Sequence, residues 1–242
     1  MNNDQLPNPD GIRLNRYLST CGFCSRRKAD EYVELGQVAI DGKIAQVGDR
    51  VHPGQVVTVN GKPVTLEEEK IYILLHKPLY ITSTAEKSDP NNVIDFVGFP
   101  KRIYPVGRLD QMSTGLLLLT NDGDLTYRLL RTAGGHEKEY IVTVTTNITD
   151  EFLRGMQTGV QLPDGPMTIP CKVEKQTDRR FSVTLTQGLN RQIRRMCEVL
   201  GYTVATLKRV RIQNLRLDGL EAGKWRHLTE KERVELLRSV GL

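Results

Sequence analysis

The sequence predicts an α+β protein in two parts, a small unit in which two helices precede short strands and a larger one built on a mostly antiparallel sheet. Three observations carry this. The helical spacings come first in the chain and are followed by two hairpin signals, Asp41-Gly42 and Asn60-Gly61. A charged tract, KPVTLEEEK, separates this stretch from the rest. Beyond it, apolar strands and helical patterns occur without the strict alternation of a doubly wound sheet.

Taken in order, residues 1 to 11 are polar and rich in turn formers, lack the apolar core of a signal peptide, and are expected to be a disordered lead-in. Residues 12 to 62 form the small unit. Leu14, Tyr17 and Leu18 have helical spacing, and Ser25 is a suitable N-cap for a second helix that buries Ala29, Tyr32 and Val33 and stops at Gly36. Arg26, Arg27 and Lys28 occupy that helix's first turn, where cations oppose the helix dipole. A phosphate partner accounts for them, since basic side chains and helix N-termini both attract anions. Cys21 and Cys24 lie in the turn between the helices without the further ligands that a zinc site needs.

Residues 63 to 70 are expected to be a linker, and 71 to 242 a larger domain. Its strands are Ile71 to Leu75, Leu116 to Thr120, Glu139 to Thr145, Phe181 to Thr186 and Val204 to Ile212. Its helices fall near Asp124 to Leu130, Asp150 to Met156 and Asn190 to Leu200, with a capping box at Thr229 to Glu232 opening the last.

Hydrophobic content of 38% and charged content of 26% suit a globular chain with a real core, and no apolar run reaches the length of a membrane span. A cytoplasmic, monomeric protein is expected. The net charge is only +5, but nine basic residues and one acid fall between Arg179 and Arg216. That excess suits a polyanionic partner, although charge alone leaves a solvated basic face equally open.

Three segments carry possible chemistry. In YPVGRLD, Asp110 sits on a loop just before a strand buried on both faces, where burial and charged neighbours tune a carboxylate; an aspartate capping a turn has the same spacing. In GLNRQIRRM, Ile193, Met196, Cys197 and Leu200 make a buried stripe, and Arg191, Arg194 and Arg195 share another face. One of the three is placed to pair with a carboxylate; all three are equally placed to bind phosphates or stay solvated. In HEKEY, Tyr140 begins an alternating strand and is either a core tyrosine or a base-stacking platform.

Together these segments resemble the pseudouridine synthases of the RsuA/RluB/RluE/RluF family, and the tract GGHEKEYIVTVTTNITDEF most resembles the RluF branch. Residues 12 to 51 resemble the S4 RNA-binding domain that precedes the catalytic core in that family. The resemblance implies an rRNA-modifying isomerase that works on a stem-loop, 23S rRNA for that branch, with no cofactor and no metal. It implies Asp110 as the essential carboxylate, Tyr140 as the active-site tyrosine, Arg194 as the arginine paired with Asp110, and Arg108 as the side chain entering the RNA where the base leaves. RNA-backbone contacts are expected from Arg13, Arg16, Arg26, Arg27, Lys28, Arg191, Arg195, Lys208 and Arg209. The sequence departs from the family at Tyr80, where a small residue, often glycine, is usual. A non-catalytic RNA-binding protein needs the basic surface but not Asp110, Arg194 and Tyr140 together. A methyltransferase needs a glycine-rich loop after a first strand, which this sequence lacks.

Overall fold

A computed structural model describes residues 10–65, 69–131 and 134–242. Most of the lead-in and the middle of the charged tract lie outside the described residues. The chain divides into two compact units, Met1–Lys70 with Pro100–Arg102, and Ile71–Phe99 with Ile103–Leu242.

The first unit contains β1 (Ile12–Arg13), α1 (Leu14–Thr20), α2 (Arg26–Glu34), β2 (Val38–Ile40), β3 (Lys43–Ile44), β4 (Arg50–Val51), β5 (Val57–Val59) and β6 (Lys62–Pro63). β1 pairs with β4, and the others form a four-stranded sheet in the order β3-β2-β5-β6. Lys62–Pro63 is therefore strand, so the tract read as a linker begins inside the sheet. The Ser25 side chain accepts from the Lys28 N–H, as an N-cap should. Leu14, Leu18, Ala29, Val33, Val38, Val57 and Val59 close a small core.

The second unit runs β7 (Tyr72–Lys77), α3 (Val93–Val97), β8 (Tyr104–Pro105), β9 (Thr114–Thr120), α4 (Gly123–Leu130), β10 (Lys138–Val144), α5 (Asp150–Thr158), β11 (Lys172–Thr177), β12 (Arg180–Leu185), α6 (Gln192–Val199), β13 (Val204–Ile212), β14 (Leu215–Arg216), β15 (Trp225–His227) and α7 (Glu230–Ser239). Its main sheet follows the order β11-β12-β10-β13-β9-β7-β15. The strand pairings are antiparallel except for β9 with β13, which is parallel.

That one parallel pairing positions the site. Thr114 and Gly115 lie opposite Lys208 and Arg209. Gly115 has φ +108°, and a Cβ there would collide with the Arg209 carbonyl, so only glycine lets the strands approach so closely. β7 and β9 are buried along both faces, apart from the half-buried Thr114, because helices and loops cover each side. The loop ahead of β9 is therefore anchored directly to the core.

Candidate functional site

Asp110 lies in the loop between β8 and β9, and a turn from the Ser113 N–H to the Asp110 carbonyl, 2.9 Å, starts the strand. The loop is held from two sides. The buried Ser83 hydroxyl donates to the Leu109 carbonyl at 2.9 Å and accepts from the Leu109 N–H at 3.1 Å. On the other side Arg194 Nη2 donates to the Met112 carbonyl at 2.8 Å and lies 3.5 Å from the Ser113 hydroxyl. Backbone fixed at residues 109 and 112 leaves the intervening carboxylate little freedom.

The arginine facing that carboxylate is Arg191, with Nη1 3.9 Å from Asp110 Oδ2. This corrects the pairing implied by the family resemblance, which joined Asp110 to Arg194. α6 begins at Gln192, so Arg191 is its N-cap, in the left-handed region at φ 47°, ψ 32°. There its side chain does not follow the helical wheel. Arg194 instead holds the loop backbone, with its Nε buried and unpartnered. Burial and the neighbouring Arg191 lower the Arg194 pKa, and Asp110 opposes them.

The stripe read from the sequence packs as expected: Ile193, Met196 and Cys197 are buried and Leu200 is half-buried. Gln192 is buried as well; its amide oxygen accepts from the Leu189 N–H at 3.0 Å, which shapes the turn carrying Arg191.

A cleft of about 560 Å³ opens beside Asp110, lined also by Thr82, Arg108, Lys138, Tyr140, Arg191 and Arg209. Tyr140 stands on β10 opposite Val183 and Arg209, next to a bulge between Glu139 and Tyr140 that re-aims the strand. Arg211 ties this bulge down, reaching Glu139 and Glu137, each at 2.8 Å.

Lys77 escaped the reading of the sequence. It ends β7, is fully buried, and donates to the Pro78 and Ile81 carbonyls, both at 2.8 Å. Burial pushes its ammonium down to about 8, against an opposing effect of Asp110. It clamps the turn containing Tyr80, which is exposed at φ 66°. The positive φ explains why glycine suits that position. The signal available in the sequence was a lysine closing an otherwise apolar strand.

The remaining basic residues separate by burial. Arg13, Arg16, Arg26, Arg27, Lys28 and Arg108 are exposed, and Arg195 and Lys208 are half-buried. Arg209 differs from these in being 3% exposed; it lies on the same face of β13 as Leu207, two residues earlier, and lines the cleft rather than the outer surface.

Comparison with known proteins agrees with this architecture. The family model for RNA pseudouridylate synthase matches residues 71–199, and that for the S4 domain matches residues 12–57. The dual-specificity RNA pseudouridine synthase RluF of Escherichia coli strain K12 is 50% identical over 235 residues, spanning 96% of this chain and 81% of the relative. The ribosomal large subunit pseudouridine synthase B of Bacillus subtilis is 37% identical, spanning 94% and 96%. A crystal structure of a pseudouridylate synthase superposes with a TM-score of 0.69 at 28% identity, covering 93% of this chain and 100% of the other. The chain thus belongs to the RNA pseudouridylate synthase family and is one of its members with an S4 domain ahead of the synthase domain.

Proposed function

We propose that this enzyme converts a specific uridine of a 23S rRNA stem-loop to pseudouridine, acting as a cytoplasmic monomer, with Asp110 as the reacting carboxylate. The observation that carries the reading is a carboxylate on a doubly anchored loop, beside an arginine and a tyrosine, on one cleft.

The reaction breaks the N1–C1′ bond, rotates the uracil and joins C5 to C1′. The C5 proton is lost and N1 gains one, so the change is an isomerisation with no net oxidation. Asp110 acts either as a nucleophile at C1′ or as a base on the C2′ proton, and both roles need the ionised carboxylate. Arg191 Nη1 lies 3.9 Å from the carboxylate and orients it. Water is not a reactant, so the second carboxylate of a glycosidase is not required. The target base leaves its stack to reach Asp110, Tyr140 stacks on it, and Arg108 fills the vacated place. The exposed Arg13, Arg16, Arg26, Arg27 and Lys28 of the S4 unit, with Arg195 and Lys208, hold the RNA backbone.

Release of tritium from rRNA labelled at uridine C5 tests the reading. Wild type is expected to release it, and Asp110→Asn to lose at least roughly 1000-fold in rate while still binding RNA. Near-normal release by folded Asp110→Asn removes the carboxylate from its role.

A further inference from the structure

Among the described residues lining the cleft there is one carboxylate, Asp110, against four cations, Arg108, Lys138, Arg191 and Arg209. Arg191 already faces Asp110, and Arg108 is exposed. The two left over are the interior ones. Arg209 Nε donates to the Leu116 carbonyl at 2.7 Å, but Nη2 is buried with no hydrogen-bond partner. Lys138 is half-buried and makes one bond, to the His136 carbonyl at 3.2 Å. The Lys138 ammonium is pushed down by burial and then by Arg209, so the two cations feel each other. Lys77, at the end of β7, is depressed by burial, with Asp110 opposing and Arg209 adding to the effect.

A lysine answers such a place by releasing its proton; a guanidinium cannot. A buried, incompletely bonded arginine is costly unless an anion joins it. Nor is Arg209 there by accident of packing. The glycine at 115 lets β9 and β13 close, and that approach carries the guanidinium beneath the cleft. The partner of this cleft is RNA, and the anions of RNA are its phosphates.

We propose that Arg209 and Lys138 form a phosphate subsite on the cleft floor that receives a phosphodiester adjacent to the target uridine. This rests on the function proposed above. Holding that phosphate fixes the ribose, and with it C1′, relative to Asp110, so binding away from the reacting bond orients the reacting bond. Arg209 is thus an RNA ligand reached only by a nucleotide drawn into the cleft.

The test uses the shortest rRNA stem-loop on which the full-length wild-type chain releases tritium, with each phosphate flanking the target uridine replaced singly by a neutral methylphosphonate. At one position wild type is expected to lose about tenfold in affinity, the loss of a hydrogen bond to a charged group. Arg209→Gln and Lys138→Gln, weaker on natural RNA, are expected to lose less than about twofold at that position. If Arg209→Gln does not fold, Lys138→Gln carries the comparison, because its one bond is to a loop carbonyl. Equal losses in wild type and both variants at every position would overturn the subsite and leave uridine isomerisation standing. Failure of wild type to release tritium from any rRNA removes both.

Discussion

Two helices in this molecule begin with clustered basic residues, and they are built in opposite ways. α2 opens with Arg26, Arg27 and Lys28 under an ordinary serine cap, all three exposed, with Lys28 paired to Glu31 at 2.6 Å. α6 has no side-chain cap; its N-cap is Arg191 itself, in a left-handed conformation that an arginine rarely adopts. The first arrangement satisfies the helix end and keeps its cations on the exposed surface. The second leaves the helix end uncapped and sends an arginine to a carboxylate. A residue that accepts backbone strain at a cleft while a cap is available elsewhere in the same chain points to selection for position over stability.

The comparison is broken most directly by making the same substitution in both helices. Arg191→Gly is expected to raise stability by about 1 kcal/mol, because glycine carries no penalty at positive φ. Its exposed 3.9 Å ion pair contributes little to folding. The same variant is expected to lower kcat by roughly tenfold or more as Asp110 loses its cation. Arg26→Gly should do the reverse: a loss of roughly 0.5–1 kcal/mol, an unchanged kcat and weaker RNA binding. Parallel melting curves and single-turnover rates decide. If Arg191→Gly loses both stability and RNA affinity while kcat holds, the two helices are alike after all.

Arg194 sharpens the contrast within α6. Arg194→Met strands the Met112 carbonyl and is expected to destabilise by about 1–3 kcal/mol, with kcat falling as the Asp110 loop loosens. Urea titration alongside tritium release checks this; full activity in a destabilised Arg194→Met would make it a purely structural residue.

Two lysines extend the comparison to pH. Lys77, with a folded pKa near 8 against an ordinary 10.5, binds fewer protons folded than unfolded between those values. The stability of wild type relative to Lys77→Met should therefore rise from about pH 8 to about 10.5. Lys28 is raised by its bond to Glu31, so what it contributes is present below the unfolded value and lost as pH rises through the folded one. Opposite slopes in the two difference curves are expected, and slopes of the same sign would refute the assignment.

The smallest effect is at the ordinary cap. Ser25→Ala should cost about 1 kcal/mol in the first unit without altering the chemical step. A change in the single-turnover rate would link that helix end to catalysis.

Most of the frame was legible. The buried strands, the serine cap, the Thr229 and Glu232 capping box and the apolar stripe of α6 follow from spacing alone. β11 was not, because KVEKQT at the sheet edge buries only Val173 and so carries no alternation. Asp110 and Tyr140, on segments far apart in the sequence, line one cleft. The arginine facing Asp110 was not legible, because spacing left all three arginines open, the resemblance pointed to Arg194, and neither reveals that the backbone at Arg191 is left-handed. The burial of Arg209 was not read from its charge; Leu207 and Arg209 share a strand face, and the apolar neighbour was the better guide to where the side chain lies.

The parallel pairing of β9 with β13 also has a consequence for the order in which the molecule is made. The buried core of the first unit joins residues from Leu14 to Val59, whereas Gly115 meets a partner that is Arg209, some ninety residues later. Closing so long a loop is slow and becomes possible only once the late strand exists. On a translating ribosome the S4 domain is therefore able to fold long before the loop of Asp110 is anchored. During synthesis the chain is an S4 domain first and an isomerase last, and a product stalled before β13 is expected to hold the folded S4 domain without an anchored Asp110 loop.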